Sequence, residues 1–247
     1  MHTDLFISII IPVGSGETHW RKLLPCLTDL PWPNEIIVVA TEPAPLDWSK
    51  HVESHEVGNA IRWIHCEPGR AHQLNRGANA ASGRFLWFLH ADSIVPPAAV
   101  TALDQALRER PHSFHYFRLK FHSDGPPGMA LNAAGVWFRS RWLGMPFGDQ
   151  GFCLDRATFQ ELNGYDETAV YGEDHLFVWK ARQRGIRLNG IREPILTSAR
   201  KYRKHGWLRT TTRHVILTFR QAIPQFWRLI RKRIRSWNAS QPPSRSS

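Results

Sequence analysis

In the run GRFLWFLHADS (83–93), a strongly apolar stretch closes on His90, Ala91 and Asp92. Open α/β sheets bind ligands beyond the carboxyl ends of their strands. A carboxylate placed there can hold a divalent cation, and the cation can hold a diphosphate. The competing reading is structural: Asp92 and Ser93 cap a helix near Pro96, and His90 packs in the core. Just upstream, EPGRAHQLNRGANAASG (67–83) sets Arg70, Gln73, Asn75 and Arg76 among small residues. A helix starting after Gly69 would face phosphates with its N-terminus, and Arg70 would add a charge-assisted contact. As plain structure, the same stretch is an amphipathic helix whose alanines pack closely on a sheet. Three further clusters carry chemistry-bearing side chains: GDQG (148–151), the acidic pair Glu173-Asp174, and the basic stretch ARKYRKHGW (199–207). Taken alone they read as a polar turn, a helix start enriched in acids by the macrodipole, and a solvated basic turn.

The elements that must position these residues alternate at short intervals. LFISIIIPV (5–13), EIIVVA (35–40), IRWIHC (61–66) and RFLWFLHA (84–91) are strand candidates, the first two continuous enough to be covered on both faces. Trp20, Leu23, Leu24, Leu27 and Leu30 recur at helical spacing, and AHQLNRGANAAS (71–82) is a small-residue helix with Gly83 as its stop. The alternation predicts an α/β fold with a mostly parallel, doubly wound sheet. Beyond it the sequence predicts a helix at 97–109, a strand at 114–121, a turn at 124–128 and a helix to about 141. A short strand at 151–155 follows, with Asp155 as a helix cap, then a helix at 174–185 ending at Gly185.

The chain has 247 residues, of which 42% are hydrophobic, and a net charge of +11. That length and composition suit a globular α/β domain, and the charge favours an anionic partner. Cys26, Cys66 and Cys153 lie far apart without CxxC spacing, which argues against a disulfide scaffold or structural zinc and for a reducing compartment. FISIIIPV is too short for a signal peptide and lacks a basic start, and no apolar run reaches the roughly 18 residues of a membrane span. The expectation is a cytoplasmic chain.

SIIIPV (8–13), GRAHQLNRGANAASGRFLWFLHADS (69–93), GDQGFCLDR (148–156) and YGEDHLFVWKARQRG (171–185) follow one another in an order and spacing that resembles a family 2 glycosyltransferase. More narrowly, the chain is similar to the bacterial branch that carries FLHAD in place of DxD. The resemblance covers about residues 5–205. It implies a GT-A fold, a nucleotide-diphosphate sugar donor, and a divalent metal, Mg2+ or Mn2+. It would place Pro12 and Val13 beside the nucleobase, Glu17 near the donor, and Arg70, Gln73 and Asn75 near the nucleotide. Asp92 would be the carboxylate on the metal side, with His90 at the ribose. Glu173-Asp174 would supply the base of an inverting transfer, Asp174 being preferred. Asp149 and Gln150 would lie on the acceptor or sugar side. Arg200, Lys204 or His205 would meet the leaving diphosphate, His205 also as a metal ligand. Two departures from the family pattern stand out. VVATEPAPLD (38–47) lacks the usual carboxylate after the second strand, leaving Glu42 or Asp47 as stand-ins, and IPVGSGE (11–17) replaces an aromatic-Asn-Glu run.

Residues 207–237 interleave aromatic and aliphatic residues with Arg and Lys, and Pro224 is expected to kink or divide any helix there. A basic amphipathic helix of this kind lies on anionic membrane surfaces, or packs its apolar face on the catalytic domain or on a second copy. The expected organisation is a catalytic domain over 1–205, this helical segment over 206–238 and a disordered tail over 239–247. A lipid-linked acceptor would suit the basic segment. The alternatives are a catalytically silent sugar-nucleotide binder and a basic nucleic-acid-binding protein. The second is disfavoured because the basic residues gather after residue 200 and no binding module is present.

Overall fold

A computed structural model of the chain describes residues 5–28, 30–49 and 60–239; the tail at 240–247 lies outside them. Four parallel strands form the first half of the sheet: β1 (Ile7–Val13), β2 (Asn34–Ala40), β3 (Ala60–His65) and β4 (Phe85–Phe88). All seven residues of β1 and all seven of β2 are buried, which is why the sequence is apolar without alternation there. Alternate β1 side chains feed two cores. Ile9 and Ile11 pack with Trp20, Leu23 and Leu103 on one face, and Ile10 packs with Leu74, Ala78 and Phe177 on the other. These faces are covered by α1 (Trp20–Leu23), α2 (Arg70–Ala80) and α3 (Pro97–Glu109). Gly77 lets α2 close on the sheet, since a Cβ there would fall 2.5 Å from Ile10 Cγ2.

The second half adds β5 (Phe114–Phe121), α4 (Met129–Trp142), β6 (Cys153–Asp155), α5 (Arg156–Glu161), α6 (Glu173–Gln183) and β7 (Leu188–Thr197). The seven strands run in the order β3-β2-β1-β4-β6-β5-β7. β6 is antiparallel to both neighbours and β5–β7 is parallel, so the sheet is mixed but mostly parallel, as expected of a GT-A fold. Asp155 caps α5 by accepting from the Ala157 N–H at 2.8 Å. A short α7 (Arg200–His205) and the long α8 (Trp207–Ala239) complete the described chain.

Three sequence expectations need correction. The strand expected over 84–91 ends at Phe88, so residues 89–92 already leave the sheet. The helix expected to stop at Gly83 ends at Ala80, and the Gly83 N–H instead donates to Ser8 Oγ at 2.8 Å. Pro224 does not divide the last segment: α8 runs 33 residues through it. Contacts with α6 on both sides of the proline hold it, Gln221 before and Gln225 and Leu229 after.

Candidate active site

The carboxyl end of β4, the 3-10 turn Gly148–Gln150, the first turn of α6, and α7 converge on one cavity of about 470 Å³. Its walls include His90, Asp92, Asp149, Asp174, Arg200 and Lys201. Leaving the sheet at Phe88 puts Asp92 there: the Leu89 N–H still donates to Ile10 O at 3.0 Å, and a turn follows in which the Ser93 N–H donates to His90 O at 3.0 Å.

Arg70, the first residue of α2, organises the acids. Its Nε lies 3.1 Å from Glu173 Oε1 and 3.9 Å from Asp174 Oδ2, and its Nη2 meets His90 Nε2. Burial, and then the charges of Arg70 and Lys201, hold the His90 imidazole well below its ordinary pKa. The ring is therefore neutral and accepts from Arg70 at Nε2. Burial pushes Asp174 up to about 7, against the pull of Arg70 and with Glu173 and Asp149 adding to the rise. The Gly148 backbone N–H opposes the rise. The contact is close because residue 148 has no side chain: a Cβ would lie 2.3 Å from Asp174 Oδ2. Burial likewise raises Asp149. A carboxyl with a pKa near 7, on the wall of a cavity, is suited to exchanging protons with a bound hydroxyl.

Across the cavity, Arg200 links α7 to the β1 end. Its Nη2 lies 2.5 Å from Glu17 Oε2 and 3.8 Å from Asp92 Oδ2, and its Nη1 approaches the His19 ring nitrogens at 2.6–2.8 Å. Burial raises Asp92, opposed by Arg200 and reinforced by Glu17. Burial would also raise Glu17, but hydrogen bonds from His19 and Arg200 outweigh it and leave that carboxyl below its usual value. Among the described residues no three His, Cys, Asp or Glu side chains gather as a ready metal cage. Mg2+-type sites use one or two carboxylates and draw the remaining oxygens from substrate phosphates. The donor set here, Asp92 with Glu17 nearby, fits that kind of site. His205 ends α7, and its side chain lies outside the described residues. Lys204 is exposed on α7.

A smaller groove of about 110 Å³ lies between the ends of β1 and β2, lined by Val13, Glu17, Glu42 and Trp63 among others. Pro12 is buried in β1 just before it. Of the two stand-in carboxylates, Glu42 borders this groove and accepts from Ser15 Oγ at 2.5 Å, whereas Asp47 is paired with Arg21 at 2.8 Å.

Three amides expected at the nucleotide or sugar are held by backbone instead, and the structure does not bring them to the cavity wall. Gln73 is buried, and its Nε2 donates to Val13 O and Val39 O, both at 2.8 Å. It thereby ties the ends of β1 and β2 together under the groove. Asn75 donates to Tyr165 O at 3.0 Å and Glu167 Oε1 at 2.7 Å, and accepts from the Tyr165 N–H at 2.9 Å. Gln150 accepts from Ser140 Oγ at 2.8 Å and the Phe147 N–H at 3.0 Å, and donates to Phe117 O at 2.8 Å. Conversely, Arg139 and Lys201 line the cavity although the sequence did not single them out. Arg139 sits inside an ordinary-looking helix, and nothing in its neighbours announces that it faces a cavity.

Residues 8–158 match the model of glycosyl transferase family 2. Among solved structures, the chain is similar in fold to the Pyrobaculum calidifontis mannosyltransferase PcManGT, solved with GDP-Man and Mn2+ (18% identity, TM-score 0.67, 92% of this chain and 68% of that one). It is also similar to S. aureus TarS (17% identity, TM-score 0.62, 78% and 36%). A third likeness is to GalNAc-T7 with UDP, GalNAc and Mn2+ (13% identity, TM-score 0.62, 80% and 44%). The chain thus spans between about a third and two thirds of the length of these three. No curated protein sequence matches it.

Proposed function

Because this chain belongs to glycosyl transferase family 2, we propose that it moves a sugar from a nucleoside-diphosphate donor to an acceptor hydroxyl, with inversion at the anomeric carbon. The observation that carries this reading is the meeting of Asp92 and Asp174 on one cavity at the carboxyl ends of the strands. That PcManGT was solved with GDP-Man and GalNAc-T7 with UDP supports a nucleotide-sugar donor here.

In this reading Asp174 takes the proton of the acceptor hydroxyl. The oxygen bonds to the anomeric carbon as the bond from that carbon to the diphosphate breaks. One displacement inverts the centre. Arg70 and Gly148 orient Asp174, and its partial burial matches its proton affinity to neutral pH. Arg200 and Lys201 meet the negative charge that develops on the leaving diphosphate. Mg2+ or Mn2+ held at Asp92 would add charge neutralisation at the same diphosphate. The groove beside Val13 and Trp63 would take the nucleobase.

The acceptor is read as lipid-linked, with α8 resting on an anionic membrane face. α8 carries eight Arg or Lys side chains and no acid. Ala222 and Leu229 pack inward with Trp179, while Leu208, Ile216, Phe219, Ile223, Phe226 and Trp227 stay exposed. Among the described residues no helix is long and apolar enough to cross a membrane, so the contact would be peripheral.

A thermal-shift panel of nucleoside diphosphates and nucleotide sugars, with and without Mn2+, tests the reading. Ligand at 100 times its Kd stabilises by about 2.7 kcal/mol. The expected result is a metal-dependent rise with one nucleobase, lost in Asp92→Ala and kept in Asp174→Asn. No rise with any nucleotide would refute the donor assignment.

A further inference from the structure

We propose that the end of the cavity beneath α4 is a subsite for an anionic group of the acceptor, a phosphate or a carboxylate, anchored by Arg139.

The Arg139 side chain is fixed without an anionic partner. Its Nε donates to Met145 O at 2.9 Å, and its guanidinium lies 3.6 Å over the Phe147 ring. Its Nη2 is shut off from solvent and has no hydrogen-bond partner. A charged donor buried in this way is costly unless something accepts from it, and no atom of the described residues does. Asp149 lines the same cavity, and its Oδ1 is also enclosed and without a partner. The two residues attract each other, but Asp149 Oδ1 and Arg139 Nη2 do not meet in a hydrogen bond. A ligand with anionic oxygens for Arg139 and a hydroxyl or protonated oxygen for Asp149 would satisfy both. Lys201 and His214 stand on the same walls and add donors. A guanidinium held rigidly at one edge and over one face leaves its remaining edge preorganised for a planar or tetrahedral anion.

The subsite belongs to the acceptor because of two consecutive residues. Phe147 stacks on Arg139, and Gly148 lies directly against the Asp174 carboxylate. Arg139 therefore adjoins the position of the hydroxyl that Asp174 would deprotonate. Arg200 and Asp92, by contrast, sit with Glu17 at the β1 end. This step rests on Asp174 being the base.

Inorganic phosphate is the first probe, titrated into the full chain with a saturating nucleoside diphosphate and diamagnetic Mg2+ present to fill the donor side. Thermal shift and 31P line broadening are the readouts. The expected result is a phosphate response in the wild type, weakened at least tenfold in Arg139→Gln, with the nucleotide response unchanged. Three results would overturn the proposal: no phosphate response in the wild type, a full response in folded Arg139→Gln, or a response abolished by the nucleotide. If no nucleotide binds, the donor reading fails separately, and phosphate alone still reports on Arg139. Flotation with phosphatidylcholine vesicles, with and without hexadecyl phosphate, distinguishes the sources. Arg139-dependent capture by the doped vesicles supports a lipid-borne anion, and Arg139-dependent binding of phosphate alone supports a soluble one.

Discussion

Gly148→Ala adds a single methyl group, and the structure says where it lands. The new Cβ would lie 2.3 Å from Asp174 Oδ2, 2.4 Å from Cγ and 2.6 Å from Oδ1, where ordinary contact begins at 3.4 Å. Both Gly148 and the α6 start are backbone-anchored, so the carboxylate must retreat by about 1 Å. A displacement of that size in a catalytic group costs on the order of 100-fold in rate, which is about 2.7 kcal/mol in the barrier. The assay is release of nucleoside diphosphate from the donor, with kcat and donor KM measured separately. We expect kcat to fall about 100-fold with KM for the donor little changed, because Asp92 and the β1–β2 groove are untouched. Gly135→Ala, on α4, is the matched control. A Cβ there meets nothing within 4 Å, so activity should be unaffected and stability should rise slightly. A folded Gly148→Ala protein that keeps a third or more of its kcat would refute the placement of the base at Asp174.

The raised pKa of Asp174, about 7, gives two opposite pH effects. Transfer should accelerate as pH rises through 7, because the base must be ionised, and the rise should be absent from the residual activity of Asp174→Asn. Stability should move the other way: the folded chain holds a proton that the unfolded chain releases near 3.8. That contribution is complete below the ordinary carboxylate range and is lost as pH climbs through about 7, so Asp174→Asn should flatten the melting profile over this window. Gln73→Leu should leave Val13 O and Val39 O without their donor and cost about 1–3 kcal/mol in chemical denaturation. Arg228→Glu with Arg231→Glu should abolish co-sedimentation with anionic vesicles while leaving donor hydrolysis in solution intact, and unchanged sedimentation would remove the membrane role of α8.

The first half of the fold was legible because its elements obey simple periodicities. β1 and β2 are built on the β-branched runs Ile9–Ile11 and Ile36–Val39, and α2 is a helix rich in small residues between two strands. β7 escaped notice. It is an edge strand, LNGIREPILT, with charged residues in its middle and Pro194, opposite Arg118, just past a register shift. An edge tolerates a proline that a central strand would not, so its sequence loses the strand signature. For the site, residue type was readable and direction was not. Gln73, Asn75 and Gln150 are polar residues near the right elements, but each turns to backbone groups contributed by segments far away in sequence. Arg139 was invisible for the converse reason: its helix looks ordinary, and the Phe147 ring that fixes it belongs to the following loop.

The Glu17–Arg200 link joins residues 183 positions apart. A contact of that range forms only after a very long loop has closed, and such pairings come late in folding. The β1–β2–β4 half of the sheet can assemble while the chain is still being made, but a nascent chain that has not yet emerged to residue 200 would carry Glu17 and Asp92 without their guanidinium. Its cavity would also lack the wall built by α7 and α8. Binding competence should therefore appear as a late, separate phase in refolding, after most of the strand structure has formed.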